Sequence, residues 1–270
     1  MRFTLRRTAI CASSALALLV AAATVLVAAH AADPLPPGSW TLHWQDEFSG
    51  TSLDTSKWTT WTSAYADECR GNHGDHKLEY NLPQNLVVGN GVLTITAKKQ
   101  NYTSPSGTPY TWTSGLITTG DSCGHDPAGG VTVRKGDYIQ IEAKLPGQMG
   151  MWPAFWTWQG PTNEVDVFEY HPDNPTLLEL SNHTPGGGDF NYDAGYNLSA
   201  GWHYFGAYLG SSTVDYYLDG ELIYRDPHPF NSAGAKLIID LAVSDGTYHA
   251  APTGTSAQML VGSAKVFRKA

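Results

Sequence analysis

Apolar and polar side chains alternate through the stretch Tyr138-Ile139-Gln140-Ile141-Glu142-Ala143-Lys144-Leu145. Successive side chains of a β-strand point to opposite faces, so Ile139, Ile141, Ala143 and Leu145 share one face and polar groups take the other. We therefore predict a strand that packs one face into a core and turns the other toward water.

Short runs of this kind recur along the chain, separated by Gly, Asn, Asp, Ser and Pro, and no helical periodicity of useful length interrupts them. The Asp219-Gly220 pair between residues 214–218 and 221–224 predicts a two-residue β-hairpin. About a dozen strands indicate an all-β fold, a β-sandwich. The further predicted strands are 40–44, 85–88, 92–97, 115–119, 154–158, 164–169, 177–183, 202–208, 237–243 and 259–267.

The amino terminus has the composition of an export signal. Three arginines and no acid precede an apolar run over residues 9–29. The small-residue cleavage site Ala29-His30-Ala31 lies at the end of this run. We predict a signal peptide at residues 1–31 and a single domain at 32–270. An uncleaved anchor and a twin-arginine signal at Arg6-Arg7 are the alternatives.

The acidic net charge of the chain indicates which partners it can bind. The formal net charge is −9 at pH 7, and cleavage would make it more negative because it removes three Arg and no acid. Such a surface is a poor partner for nucleic acid or an anionic membrane. We expect a secreted, extracellular, monomeric protein.

Three cysteines occur in the sequence, and Cys11 lies within the predicted signal. Cys69 and Cys123 remain as an even pair in an oxidising compartment, so we predict a disulfide between them. Two free thiols or a shared metal are the alternatives.

Three acids crowd the apolar run Asn163-Glu164-Val165-Asp166-Val167-Phe168-Glu169-Tyr170. A regular strand puts Glu164 and Asp166 on one face and Glu169 on the other, whereas a bulge at Val167-Phe168 would return Glu169 to their side. The two glutamates would then leave a carboxyl gap of the order of 5 Å, which suits a retaining double displacement of a glycosidic bond.

The acids can be given roles from their positions. We assign Glu164 as nucleophile and Glu169 as general acid and then general base, with Asp166 between them to share a proton and tune both. An acidic strand edge or a calcium loop is the alternative interpretation.

A tryptophan stripe precedes the acids. Within residues 150–158, alternation places Trp152, Ala154, Trp156 and Trp158 on one face. Pyranose rings present C–H faces that pack on aromatic rings, so Trp152 and Trp156 are candidate sugar-binding residues. A purely structural stripe remains the alternative.

With this acid row and tryptophan stripe, the chain resembles glycoside hydrolase family 16, the bacterial laminarinase and lichenase family. The resemblance implies a concanavalin-like jelly roll of two antiparallel sheets with a concave substrate cleft, and the same roles for Glu164, Asp166 and Glu169. It also implies substrate contacts at His183, Asn85 and Asp240, and no catalytic cofactor. The segments that carry it are 44–48, 53–58, 85–88, 93–97, 113–115, 142–146, 152–156, 164–169 and 241–243.

Departures from the family pattern concern the substrate. Leu116 stands where Arg is common, Asp240 where Asn is usual, and residues 244–248 replace a Gly-Gly-x-Trp segment. The resemblance implies hydrolysis of internal bonds in β-1,3-glucan or mixed-linkage β-1,3-1,4-glucan. The alternatives are a galactan- or agar-cleaving hydrolase, a transglycosylase, and a lectin-like protein without activity.

Two parts of the sequence bear on metal binding. The family's structural calcium uses an Asp that Ser263 or Gly262 replaces here, so the resemblance leaves a structural calcium open. His73, Asp75, His76 and Glu79 are crowded but lack a recognised ligand spacing, and a polar loop is the better interpretation. We therefore predict no metal ligands.

Overall fold

A computed structural model describes residues 33–120, 123–231 and 233–270. The predicted signal peptide lies outside the described residues. Residues 34–270 form one compact unit. In the described part of the chain, no helix has the length and hydropathy needed to cross a membrane.

The described residues form sixteen β-strands, arranged in two sheets, and the all-β jelly-roll prediction is confirmed. The strands are β1 Trp40–Asp46, β2 Glu79–Asn81, β3 Leu86–Gly89, β4 Val92–Thr103, β5 Pro109–Ser114, β6 Leu116–Thr118, β7 Asp137–Lys144, β8 Met151–Trp158, β9 Glu164–Tyr170, β10 Leu177–Asn182, β11 Asp189–Asp193, β12 His203–Leu209, β13 Val214–Leu218, β14 Glu221–Asp226, β15 Lys236–Val243 and β16 Ser256–Lys269.

One sheet has ten strands, in which β14, β13, β12, β7, β16, β4, β5 and β2 follow one another while β1 pairs with β16 and β3 with β4. The other has six strands in the order β11, β10, β9, β8, β15, β6. All pairings within these sheets are antiparallel except the short one between β2 and β5. The predicted hairpin is confirmed, since Leu218 pairs with Glu221 across Asp219-Gly220.

The core lies between the two sheets. Ile139, Ile141 and Ala143 of β7 are fully buried, as the alternation predicts. The rings of Phe168 on β9 and Phe205 on β12 lie 4.2 Å apart and join the two layers.

The opposite face of β7 is less open to water than we predicted. Tyr138 and Gln140 are also buried, because the segment before β1 covers them. Trp40 packs on Tyr138, and the Gln140 amide donates to the Pro34 carbonyl.

The disulfide between Cys69 and Cys123 is present, as predicted. It ties the irregular segment after β1 to the segment between β6 and β7. The Cys69 carbonyl also accepts a hydrogen bond from the Thr62 N–H, so the disulfide-bonded residue holds Thr62 in place.

Candidate active site

The pairing of β8 with β9 sets the position of the acid row. Glu164 lies opposite Trp158, Asp166 opposite Trp156, and Glu169 opposite Ala154. Five steps along β9 thus match four along β8, because the register shifts between Asp166 and Phe168. The predicted bulge is confirmed, and it puts Glu164, Asp166 and Glu169 on one face of the six-stranded sheet.

Strand β10 completes the same face from the other side. Ser181 pairs with Asp166, and Glu179 pairs with Glu169. Leu178 and Leu180 point into the core. The sequence analysis did not identify Glu179, although the alternation Leu-Glu-Leu-Ser was a signal that could have placed it on the acid face.

Burial dominates the electrostatics of the acid row. Desolvation, followed by the Asp166 charge, raises the pKa of Glu164 to about 8. The same two causes raise the pKa of Glu169 to about 8. The pKa of Asp166 itself is raised by burial, against the opposing influence of His183. Three such acids resist simultaneous ionisation, so the row retains protons near neutral pH.

His183 lies against the middle acid, as the family resemblance implied for a residue of the cleft. Its Nε2 is 3.2 Å from Oδ2 of Asp166, and its side chain is 42% exposed. The hydrogen bond to Asp166, with the charges of the neighbouring acids, raises the pKa of His183 to about 9. The ring is therefore cationic at neutral pH, and its charge favours ionisation of Glu164. Contact with a sugar stays a prediction.

The tryptophan stripe makes polar contacts within the site. The indole N–H of Trp152 donates to Oε1 of Glu169 over 2.8 Å. Trp156, only 7% exposed, donates to Oδ1 of Asp240 over 2.9 Å. The stripe thus holds the carboxylates in place, and sugar contacts at Trp152 and Trp156 remain predictions.

Asp240 lies in the floor of the cleft rather than at its surface. It is 2% exposed, and its second oxygen accepts a 2.7 Å hydrogen bond from the Tyr65 hydroxyl. Both carboxylate oxygens of Asp240 therefore accept hydrogen bonds from the protein. Through these bonds Asp240 holds the side chains of Tyr65 and Trp156 in position. A direct sugar contact at Asp240 stays a prediction.

Lys77 is a site residue that the sequence analysis missed. Its Nζ donates to Asp75 over 2.7 Å and lies 4.7 Å from the Trp152 ring centroid. Burial opposes its charge, but Asp75 and Asp240 outweigh burial and raise the pKa of Lys77. This cation faces a small cavity that it shares with Tyr65 and the acid row.

The predicted substrate contact at Asn85 stays a prediction, although the structure places this side chain away from the acid row. Asn85 is 2% exposed, in a short 3-10 helix before β3, and its amide donates to the Thr96 carbonyl and the Thr113 hydroxyl. The amide N–H group ties that turn to β4 and β5, which belong to the ten-stranded sheet.

The crowded loop at residues 73–79 forms separate contacts. His76 pairs with Asp245 over 3.0 Å, and Asp75 pairs with Lys77. Glu79 points inward and accepts from the Val243 N–H over 2.8 Å. These contacts support the polar-loop interpretation, and the expected lack of metal ligands stays a prediction.

A larger cavity of about 830 Å³ lies elsewhere, between residues 51–61, 83–88 and 125–127. Trp58, Trp61 and Leu86 are among its lining residues, and none of the three acids lines it. The chemistry that the acid row can perform therefore belongs to the smaller, more polar cavity around Glu164, Asp166 and Glu169.

A two-sheet jelly roll with paired glutamates and tryptophans on one face is an arrangement typical of carbohydrate-active proteins. A family model described as glycosyl hydrolases family 16 matches residues 83–233, more than half of the sequence. The chain belongs to this family.

Similar proteins include glucan endo-1,3-beta-glucosidase A1 of Niallia circulans, which is 30% identical over 207 residues. That match covers 68% of this chain and 29% of the relative. A beta-glucanase of Rhodothermus marinus is 26% identical over 270 residues, covering 85% of each protein. The chain spans 29% and 30% of the length of the first two curated relatives it matches.

Solved structures of similar proteins have the same fold. An endo-beta-1,3-glucanase from Pyrococcus furiosus superposes with a TM-score of 0.74 at 25% identity, over 87% of this chain and 97% of that one. The catalytic domain of a laminarinase from Thermotoga petrophila gives a TM-score of 0.73 at 25% identity, over 86% and 99%.

Proposed function

We propose that this chain hydrolyses internal β-glycosidic bonds of a β-glucan, either β-1,3-glucan or mixed-linkage β-1,3-1,4-glucan, with retention of anomeric configuration. The observation that carries this proposal is the β9 bulge, which places Glu164 and Glu169 on one face with Asp166 between them. The names of the similar glucanases support the choice of substrate class.

In the first step, Glu169 donates a proton to the glycosidic oxygen while the Glu164 carboxylate attacks the anomeric carbon. The bond from that carbon to the leaving oxygen breaks, and a covalent glycosyl-enzyme forms. In the second step, Glu169 accepts a proton from water, and the water oxygen displaces Glu164. Two inversions at one carbon give net retention, and the proposed carboxyl gap of the order of 5 Å suits this route.

Burial and Asp166 raise the pKa of both glutamates, and His183 distinguishes the surroundings of Glu164 from those of Glu169. The cationic His183 favours the anion at Glu164, as a nucleophile requires. Burial, then Asp166 and finally Glu179 raise the pKa of Glu169, while Lys77 and the Trp152 hydrogen bond lower it. The net rise helps Glu169 to keep the proton it must donate. Asp166 repels both anions, so it favours a single proton shared along the row.

The double displacement needs no cofactor. The residues do not fit the structural calcium that the resemblance suggested, because Gly262 has no side chain and the buried Ser263 offers no carboxylate. No step of the proposal uses that ion.

The proposed function also includes export of the protein from the cell. The sequence of residues 1–31 supports secretion through a cleaved signal, and the net charge of −9 argues against nucleic acid as a partner. We propose an extracellular monomer that acts on a polysaccharide.

The test is incubation of the purified protein with laminarin, lichenan, xyloglucan and agarose. Reducing ends report cleavage, and proton NMR reports the first product anomer. We expect cleavage of laminarin or lichenan with the β-anomer formed first. Glu164→Gln should abolish turnover, whereas Glu47→Gln, a half-exposed carboxylate paired with Lys265, should not.

Each contrary result has a distinct meaning. An α-anomer as first product would contradict the retaining mechanism, and an active Glu164→Gln variant would contradict the nucleophile assignment. Cleavage of agarose alone, or transfer to sugar acceptors in place of water, would indicate the galactan hydrolase or the transglycosylase. Binding without turnover would favour the lectin-like alternative.

A further inference from the structure

Two histidines and a glutamate converge beside the acid row. His171 directly follows β9, Glu179 lies in β10, and His249 lies in the loop between β15 and β16. One nitrogen or oxygen atom from each residue lies within 4.8 Å of the others. Segments far apart in sequence thus bring three potential ligands to one point.

The spacing of these atoms is close to that around a small metal ion. His249 Nε2 is 3.2 Å from Glu179 Oε1, and His171 Nε2 is 3.9 Å from Glu179 Oε2. Bonds of about 2.1 Å in a tetrahedral site separate neighbouring ligand atoms by about 3.4 Å. Two imidazoles with one glutamate are also a ligand set found in open zinc sites.

The buried ring of His171 lacks hydrogen bonds. It is 2% exposed, and neither ring nitrogen has a hydrogen-bond partner among the described residues. Buried polar groups are normally satisfied, so two unsatisfied nitrogens on one ring call for a ligand.

A second carboxylate lies behind His249. Asp173 Oδ1 is 3.4 Å from His249 Nδ1, on the side of the ring away from the nitrogen that faces Glu179. The other Asp173 oxygen accepts from the Ala250 N–H over 2.8 Å. Metal-binding histidines commonly direct their second nitrogen at a carboxylate, which fixes the ring and raises its basicity.

The two rings are stacked, with centroids 3.3 Å apart and planes within 4° of parallel. A metal must lie near the plane of each ring that binds it, so one ring has to turn as the ion enters. His249 is suited to this movement because it lies on a loop, whereas His171 is packed 4.9 Å from the Trp152 ring.

We propose that His171, Glu179 and His249 form a binding site for a divalent transition-metal ion of the zinc class, with Asp173 supporting His249. The site goes beyond the proposed hydrolysis and does not depend on it. Bound metal would tie the loop that contains His249 to β9 and β10. Nitrogen-rich ligands favour zinc, nickel or copper over calcium or magnesium.

The test is isothermal titration of chelator-treated protein with zinc chloride, followed by diffraction at the zinc absorption edge. We expect one zinc per chain, an anomalous peak among the three side chains, and a rise in melting temperature. Calcium and magnesium should give no such rise. Glu179→Gln and His249→Gln should each weaken zinc binding at least 100-fold, and Asp173→Asn should weaken it roughly 10- to 100-fold.

The matched control is His203→Gln, because His203 also pairs with an aspartate but lies on β12 of the other sheet. It should bind zinc like the unaltered chain. Equal zinc affinity in all variants, an anomalous peak elsewhere, or no binding by the unaltered protein would overturn the proposal. Since Glu179 and His249 are less buried than His171, their variants test the site without altering the most buried ligand.

Discussion

The indole N–H of Trp152 donates a 2.8 Å hydrogen bond to Oε1 of Glu169. Trp152 thereby orients the carboxyl group that must reach the glycosidic oxygen, in addition to any sugar it contacts. A hydrogen bond to an ionisable group contributes about 1.5–3 kcal/mol, enough to change a rate by an order of magnitude or more.

Trp152→Phe should therefore lower kcat/KM for β-glucan about tenfold or more while the protein stays folded. Phenylalanine keeps a smaller aromatic ring but has no N–H to hold Glu169, so misplacement of Glu169 is separated from lost packing by the choice of substrate. Aryl β-oligoglucosides provide the measurement, because a dinitrophenol leaving group needs no proton. The loss in kcat/KM should be smaller for that substrate than for a phenol of high pKa.

The matched control for Trp152 is Trp158→Phe on the same strand, since the Trp158 N–H donates to the Ser63 hydroxyl and not to an acid. Its effect should not vary with the leaving group. Equal losses for both aryl substrates in Trp152→Phe would contradict the positioning role.

The acid row was predictable from sequence because its constraint is local. The odd spacing of Glu169 from Glu164 in an apolar strand requires a bulge if both are to share a face, and β8 pairs with β9 in that register. The buried face of β7 followed from alternation in the same way.

Lys77 and Tyr65 could not be placed by such reasoning. They lie in irregular chain between β1 and β2, where no periodicity assigns a side chain to a face, and long-range contacts with Asp240 and Trp152 fix them. The strands β2, β5 and β11 were also missed. β2 has only three residues, and β11 is an edge strand with exposed polar positions.

His183→Gln should move the acidic limb of the profile of kcat/KM against pH to higher pH. The His183 cation lowers the pKa of Glu164, so its removal makes the nucleophile harder to ionise. The measurement is kcat/KM from pH 4 to 10 on soluble β-glucan. The charged groups that act on Glu164 are Asp166, His183, Glu169 and Lys77.

For this pH profile, His203→Gln on the other sheet is the control and should leave the acidic limb in place. Because glutamine cannot carry charge but keeps a donor, an unmoved limb would contradict the role of the His183 charge in lowering the pKa of Glu164.

Replacing both cysteines of the Cys69–Cys123 disulfide by serine should lower the free energy of unfolding by about 4 kcal/mol, because the bond closes a long loop in the unfolded chain. Urea denaturation measures the change. The segment it anchors carries Tyr65, which donates to Asp240, so kcat should also fall at temperatures where the variant is still folded. Unchanged stability would show that the contacts around Thr62 already hold this segment.

Glu79→Gln should raise the free energy of unfolding at alkaline pH. The increase should be smaller at acidic pH. Glu79 is fully buried, with one oxygen on the Val243 N–H and the other without a hydrogen-bond partner among the described residues. Burial raises the pKa of Glu79 from 4.5 to about 8. Between these values the folded chain keeps a proton that the unfolded chain has lost, so stability falls as pH rises through this window.

The glutamine oxygen can still accept from Val243 but never ionises, so the gain from Glu79→Gln should grow between pH 4.5 and 8 and then level off. The size is of the order of a few kcal/mol. Urea denaturation at pH 4.5, 6.5 and 8.5 gives the difference from the unaltered chain at each pH. The contributions of other acids with raised pKa values are the same in both proteins and cancel in that difference. Glu47→Gln, at a half-exposed position, should give no gain that grows with pH. A gain that is the same at all three pH values would mean that Glu79 does not take up a proton on folding.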